Sequence, residues 1–179
     1  IKLLSVLFAL LFAQSAWAVT AIPNNSEFTT AITACLAESA VTGNCTTYGA
    51  SSGYGTLPNW DTSQVTNMSS AFENKLSFNG DLSAWNTSDV TDMNRMFYNA
   101  TSLTSVSLST TGKVTNMSYM FYNANSLTSV SLPTTGKVQY MYRMFYAARA
   151  LTSVTLPQTG EVTDMNRMFY NATSLTSVS

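Results

Sequence analysis

The 179-residue sequence contains no histidine at all, and only 9% of its residues are charged. Typical soluble domains carry about 25% charged residues. The absence of histidine excludes Ser-His-Asp and Cys-His catalysis together with imidazole metal sites. Eight basic residues set against nine acidic ones give a net charge of -1. Nucleic-acid binding draws on clustered Lys and Arg to displace counterions, and no such cluster stands out here, so that class is set aside. Cysteine is scarce too, with two in the chain, and without histidine they make a poor zinc site. What fills the chain instead is Ser, Thr and Asn, so solubility rests on hydroxyls and amides.

The one long apolar run opens the chain. In "IKLLSVLFALLFAQSAWA", Lys2 precedes an apolar stretch to about Ala13, and Ala16, Trp17 and Ala18 form a small-x-small site. This reads as a signal peptide over residues 1–18, cleaved after Ala18, rather than a membrane anchor, because the run is short and interrupted by Gln14 and Ser15. The mature chain is then expected to have no membrane span and to be extracellular or on the cell surface. In an oxidising compartment Cys35 and Cys45, ten residues apart, are expected to form a local disulfide.

Residues 19–57 do not repeat and read as an N-terminal cap. Phe28, Ala31, Ile32, Cys35 and Leu36 fall on one helical face, with Asn25 or Ser26 as N-cap, which predicts a helix over about 26–41. The Gly- and Ser-rich stretch after it, "TGNCTTYGASSGYGTLPNW", reads as a loop.

Over residues 58–179 one unit recurs. Val65, Val90, Val114, Val138 and Val162 are spaced by 24 or 25 residues. Met68, Met93, Met117, Met141 and Met165 follow three residues later, and Phe72, Phe97, Phe121, Phe145 and Phe169 seven residues later. Five copies at a fixed period predict stacked coils, because one such unit is too small to bury its own core. Within each coil "LTSVSL" alternates as a short strand, with Val106 and Leu108 inward and Ser105 and Ser107 outward. Gly112, Gly136 and Gly160 in the following turns are expected to take positive φ, and "MFYNA" to form a single helical turn. The final "LTSVS" would leave an open apolar edge, so further coils, a second cap or a partner are expected beyond it.

"WDTSQVTNMSSAF" and "FNGDLSAWNTSDVTDMNRMFYNATSL" resemble the bacterial surface-protein 26-residue repeat, with its W-D-T-S-x-V-T-x-M-x-x-M-F and F-N-x-D-I-S-x-W signatures. The later coils, with "LTSVSLP" and "MFYNANSL", resemble BspA-type leucine-rich surface repeats. The resemblance covers about residues 58–179. It implies a leucine-rich-repeat-like extracellular solenoid associated with adhesion, with no catalytic residues to carry over. The family tryptophan is replaced by Ser109, Pro133 and Pro157, and "QYM" follows Val138 where "TDM" or "TNM" is the pattern. The mixture leaves curvature open.

Several constellations are candidate sites. Ser105, Ser129, Ser153 and Ser177, with Ser107, Ser131, Thr155 and Ser179, form two outward hydroxyl columns. Such a face suits an extracellular protein or glycan; a merely solvated sheet face and ice binding are the alternatives. Tyr98, Tyr122, Tyr146 and Tyr170 form a second column, with Arg95, Arg143 and Arg167 three residues earlier. These rings either stack on a ligand or cover the core with Arg stems packed over them. The methionine column reads as core filler.

Seven Asn-x-Ser/Thr sequons begin at Asn24, Asn44, Asn67, Asn86, Asn99, Asn116 and Asn171. Asn44, Asn86, Asn99 and Asn171 are the better glycosylation candidates, whereas Asn67 and Asn116 also suit Asx-type turns. Asp61, Asp81, Asp89, Asp92 and Asp164 read as turn residues rather than a catalytic pair or calcium ligands. The sequence therefore points to a non-catalytic secreted repeat protein, without cofactor or metal, that acts as an adhesion or recognition surface. The alternative is a structural wall, sheath or fibre component able to associate end to end.

Overall fold

The computed structural model describes residues 19–156 and 158–179. The signal peptide expected at residues 1–18 lies outside them.

Helix α1 (Asn25–Glu38) is capped by Asn24, not by the expected Asn25 or Ser26: the Asn24 side chain accepts from the Glu27 amide at 2.9 Å, while that of Asn25 accepts from the Thr66 and Asn67 amides. It buries Phe28, Ala31, Ile32, Cys35 and Leu36. It stops at Glu38, short of the expected boundary near residue 41. Cys45 is bonded to Cys35, and a ten-residue loop cannot both extend the helix and turn back to it. Gly43, at φ 70°, makes that reversal.

The stretch expected as a loop holds a second helix, α2 (Thr46–Ser52), and a 3-10 turn at Leu57–Asn59. The reason is a long-range cap. The Glu38 carboxylate accepts from the amides of Thr47 at 3.0 Å and Tyr48 at 2.9 Å, satisfying first-turn donors that no local residue meets. Gly49 is needed because a Cβ there would lie 2.3 Å from the Gly55 carbonyl oxygen.

Beyond the cap the repeats lie on one another in register. Isolated parallel bridges link Asn67, Asp92, Asn116, Tyr140 and Asp164 in succession. Strand β1 (Ser105–Ser107) pairs in parallel with β2 (Ser129–Ser131), and β3 (Ser153–Val154) with β4 (Ser177–Val178). Phe72, Phe97, Phe121, Phe145 and Phe169 stack face to face, with centroids 5.3–5.5 Å apart. The cap closes this core at one end: Trp60 stacks on Trp85 at 6.2 Å, and Phe28 of α1 meets Trp85 edge-on at 5.4 Å.

The segment expected to be a helical turn is something else. In the first four coils alternate amides have different destinations. Met96, Tyr98 and Ala100 donate back to Met93, Arg95 and Phe97, closing successive tight turns. Met93, Arg95, Phe97 and Asn99 donate to Asn116, Ser118, Met120 and Tyr122 of the next coil at 2.8–3.0 Å. The alternation needs left-handed residues, and none of Gly112, Gly136 and Gly160 is among the positive-φ glycines. Left-handed backbone falls instead on Ser70, Asn74, Arg95, Asn99, Tyr119, Asn123, Arg143, Ala147, Arg167 and Asn171, at φ 51–60°. Each such residue costs on the order of 1 kcal/mol; at Ser70, Asn74, Arg95, Asn99, Tyr119, Asn123, Arg143 and Ala147 the residue's own amide offsets it with a hydrogen bond to the next coil.

A further link runs inside the stack. Thr62, Thr87, Thr111 and Thr135 are fully buried. Their hydroxyls donate to the carbonyls of Asn86, Thr110, Thr134 and Gln158, so each coil is tied to the next.

Candidate functional site

The short strands place their side chains by alternation. Val106 and Leu108 are buried, whereas Ser105, Ser107, Ser129, Ser131, Ser153 and Thr155 are exposed. The register sets Ser105 opposite Ser129 and Ser107 opposite Ser131. Thr155 and Ser179 hydroxyls lie 3.2 Å apart on the last pair. The strands form two sheets, β1–β2 and β3–β4; paired strands run about 4.8 Å apart, and outward residues along one strand about 7 Å, so each pair presents a small grid of hydroxyls.

Sequence reading overlooked the column beside it. Thr104, Thr128, Thr152 and Thr176 are exposed as well, and they precede each strand by one residue. Thr128 and Thr176 donate both amide and hydroxyl to the carbonyls of Thr104 and Thr152. Their hydroxyl protons are thereby committed, which leaves methyl groups and oxygen lone pairs at the edge of the grid. The signal was present in the period, since these threonines recur with it.

The tyrosine column is continuous. Tyr98, Tyr122, Tyr146 and Tyr170 stack with centroids 4.7, 4.7 and 4.9 Å apart and nearly parallel planes. Their faces are turned on one another, so ring edges and hydroxyls are what the column offers outward. Arg95 lies over the Tyr98 and Tyr119 rings, and Arg143 over Tyr142 and Tyr146, at 5.0–5.5 Å. Desolvation, and then the neighbouring Tyr98 and Tyr146, push the Tyr122 hydroxyl above the usual tyrosine range.

The sequon residues sit in unlike places. Asn44, Asn86 and Asn171 are exposed. Asn99 is half-buried, and its side-chain nitrogen is engaged with Asn74 Oδ1 at 2.8 Å. Asn67, Asn86 and Asn116 accept from the amides of Ser69, Ser88 and Ser118, so the exposed Asn86 is in an Asx turn as Asn67 and Asn116 are. Asp61, Asp81, Asp92 and Asp164 do the same with the amide two residues on. Asp89 instead pairs with Lys113 of the next coil. The Cys35–Cys45 disulfide is closed. Among the described residues no group of three or more acidic or cysteine side chains is placed to hold a metal, and no helix is long and apolar enough to cross a membrane.

Comparison with known proteins adds a family and a structure. The profile of a family described as "Mycoplasma protein of unknown function, DUF285" matches residues 39–155 and 106–178. The crystal structure of a T. pallidum leucine-rich repeat protein is similar at 16% identity and a TM-score of 0.40, over 64% of this chain. The match spans 63% of that protein's chain, less than two thirds of its length. No curated protein sequence matches.

Proposed function

The chain belongs to the DUF285 family of proteins of unknown function, and from that premise we propose that it is an extracellular, non-catalytic repeat protein whose strand face recognises protein or glycan. In this reading the stacked coils form a leucine-rich-repeat-like solenoid of the BspA type, displayed at the cell surface and used in adhesion. The observation that carries it is the strand face itself. Ser105 and Ser107 of β1 stand in register with Ser129 and Ser131 of β2, Ser153 and Thr155 follow in the next coil, and all six are small, exposed hydroxyl residues. Such a surface offers donors and acceptors at regular spacing with little side-chain entropy to lose on binding. The disulfide supports an oxidising compartment.

The test is a glycan-array and intact-cell binding assay on the full chain beside a Ser129→Lys, Ser153→Lys double variant checked by circular dichroism. Saturable binding lost in the folded variant is the expected result. Binding that survives in the variant, or no binding to any glycan or cell, overturns the reading.

A further inference from the structure

The hydroxyl face does not end evenly. Where the coil containing "FNGDLSAW" gives way to the first "LTSVSL" coil, β1 has a strand neighbour on one side only, since the order is β1–β2. Toward the cap it faces the irregular segment Asn79–Leu82. Between the two lies a cleft of about 300 Å³ lined by Asn79, Gly80, Asp81, Leu82, Thr104, Ser105, Val106 and Ser107.

The near wall is held from behind. The Asn79 amide donates to the Val41 carbonyl of the cap at 2.8 Å. A Cβ on Gly80 would lie 2.8 Å from both the Phe78 ring and the Thr42 carbonyl oxygen, so the backbone here is packed against the molecule without room to retreat. The Asn79 side-chain oxygen accepts from the amide and the hydroxyl of Thr104, both at 3.0 Å, which joins the near wall to the far one. The cleft is therefore formed before anything enters it.

Its chemistry is mixed in a particular way. Leu82 and Val106 are buried, at 4% and 7% exposure, and supply an apolar base. The hydroxyls of Ser105 and Ser107 stand exposed along one side. On the other side is the exposed Asp81 carboxylate, with one oxygen accepting from the Ser83 amide at 2.9 Å. That bond leaves the second oxygen for a ligand. A carboxylate is an acceptor only, and its charge-assisted hydrogen bonds are about twice as strong as neutral ones. What complements an apolar floor ringed by one carboxylate and several hydroxyls is a polyol ring: hydroxyl donors for Asp81, both roles for the serines, and a C–H face for Leu82 and Val106.

We propose that this cleft is a monosaccharide subsite, with Asp81 as the acceptor for ligand hydroxyls and Ser105 and Ser107 opposing it. The proposal rests on the recognition reading above and narrows it to neutral sugars at one end of the strand face. The remaining strand face then serves as a continuation along which an attached glycan lies.

Nuclear magnetic resonance titration of the full chain with methyl glycosides of glucose, galactose, mannose and N-acetylglucosamine at millimolar concentration tests it. The expected result is saturable shifts for at least one glycoside, centred on the amides of Gly80, Leu82 and Val106. Asp81→Asn keeps the acceptor for Ser83 and so the turn, but removes the charge; it should weaken binding about tenfold, which is about 1.4 kcal/mol. Ser107→Tyr fills the cleft and should abolish the shifts. No saturable shift with any glycoside overturns the proposal, as does binding unchanged by both variants. Glycan-array binding lost in Ser129→Lys, Ser153→Lys but unaffected by Asp81→Asn and Ser107→Tyr overturns the subsite while leaving the strand-face reading standing.

Discussion

The Asn123 side-chain amide donates to Asn99 Oδ1 at 3.0 Å, and Asn99 in turn donates to Asn74 Oδ1 at 2.8 Å. All three asparagines have left-handed backbone, at φ 57–59°. One column thus meets two demands: asparagine tolerates that conformation better than most residues, and its carboxamide both donates and accepts along the stack. The next member is Ala147, at φ 56°, whose amide reaches the next coil but whose methyl cannot extend the side-chain column. Replacing Ala147 with Asn should stabilise the protein by about 1 kcal/mol, raising Tm by roughly 2–4 °C in a chain of this size. Thermal unfolding followed by circular dichroism decides it, and a lowered Tm would show that the column does not act as a ladder.

The buried threonine column makes a prediction of opposite sign. Thr135 donates its hydroxyl to the Gln158 carbonyl and accepts from the Gln158 amide at 3.2 Å. Thr135→Val preserves shape but strands both partners, so it should cost about 1–3 kcal/mol. Thr155→Val, on the exposed strand face, should stay within about 0.5 kcal/mol. Equal effects in urea unfolding would mean that the internal hydroxyls contribute no more than the outer ones.

Reduction of Cys35–Cys45 should remove about 2–3 kcal/mol, given the ten-residue separation. The loss should concentrate in the cap. Hydrogen exchange is the readout: amides of α1 and α2 should lose protection before those of Phe97 and Phe121, whose donors lie in the coil-to-coil ladder. Uniform loss along the chain would argue for a single cooperative unit instead.

The cap should also be the acid-sensitive part. Amide hydrogen bonds from Thr47 and Tyr48 hold the Glu38 carboxyl below the usual glutamate range. A lowered folded-state value means stability that is present above the unfolded pKa and lost as pH falls through the folded one. The α2 N-terminus should therefore loosen at the acid end of the carboxylate range. Glu38→Gln should abolish that dependence, as followed by the α2 amide resonances between neutral and acidic pH. An unchanged profile in the variant would assign the effect to another carboxylate.

Alkali should act on the tyrosine column. Tyr122 is pushed upward by desolvation and by its stacked neighbours. A raised folded-state value means stability that is intact below the unfolded pKa and lost as pH rises through the folded one. Absorbance titration should show a late phenolate step that disappears in Tyr122→Phe; a titration curve identical in both proteins would contradict the stacked environment.

The sequence by itself determined the period, the inward columns of Val, Met and Phe, the outward serines of the strands and the pairing of Cys35 with Cys45. These follow from local alternation, chain spacing and compartment chemistry, all readable along one dimension. It misled where a residue's conformation is imposed by a neighbour 24 residues away. Glycine was the natural guess for positive φ, yet Arg95, Tyr119 and Ala147 adopt it, because the amide of each must reach the next coil. Helix α2 escaped notice because its cap, Glu38, lies at the end of the preceding helix. The threonine column and the cleft beside Asp81 were hidden for the same reason. Burial of a hydroxyl against a carbonyl one coil away, and a gap where a strand meets an irregular segment, are properties of stacking. Only the tertiary structure decides which groups stacking brings within hydrogen-bond reach.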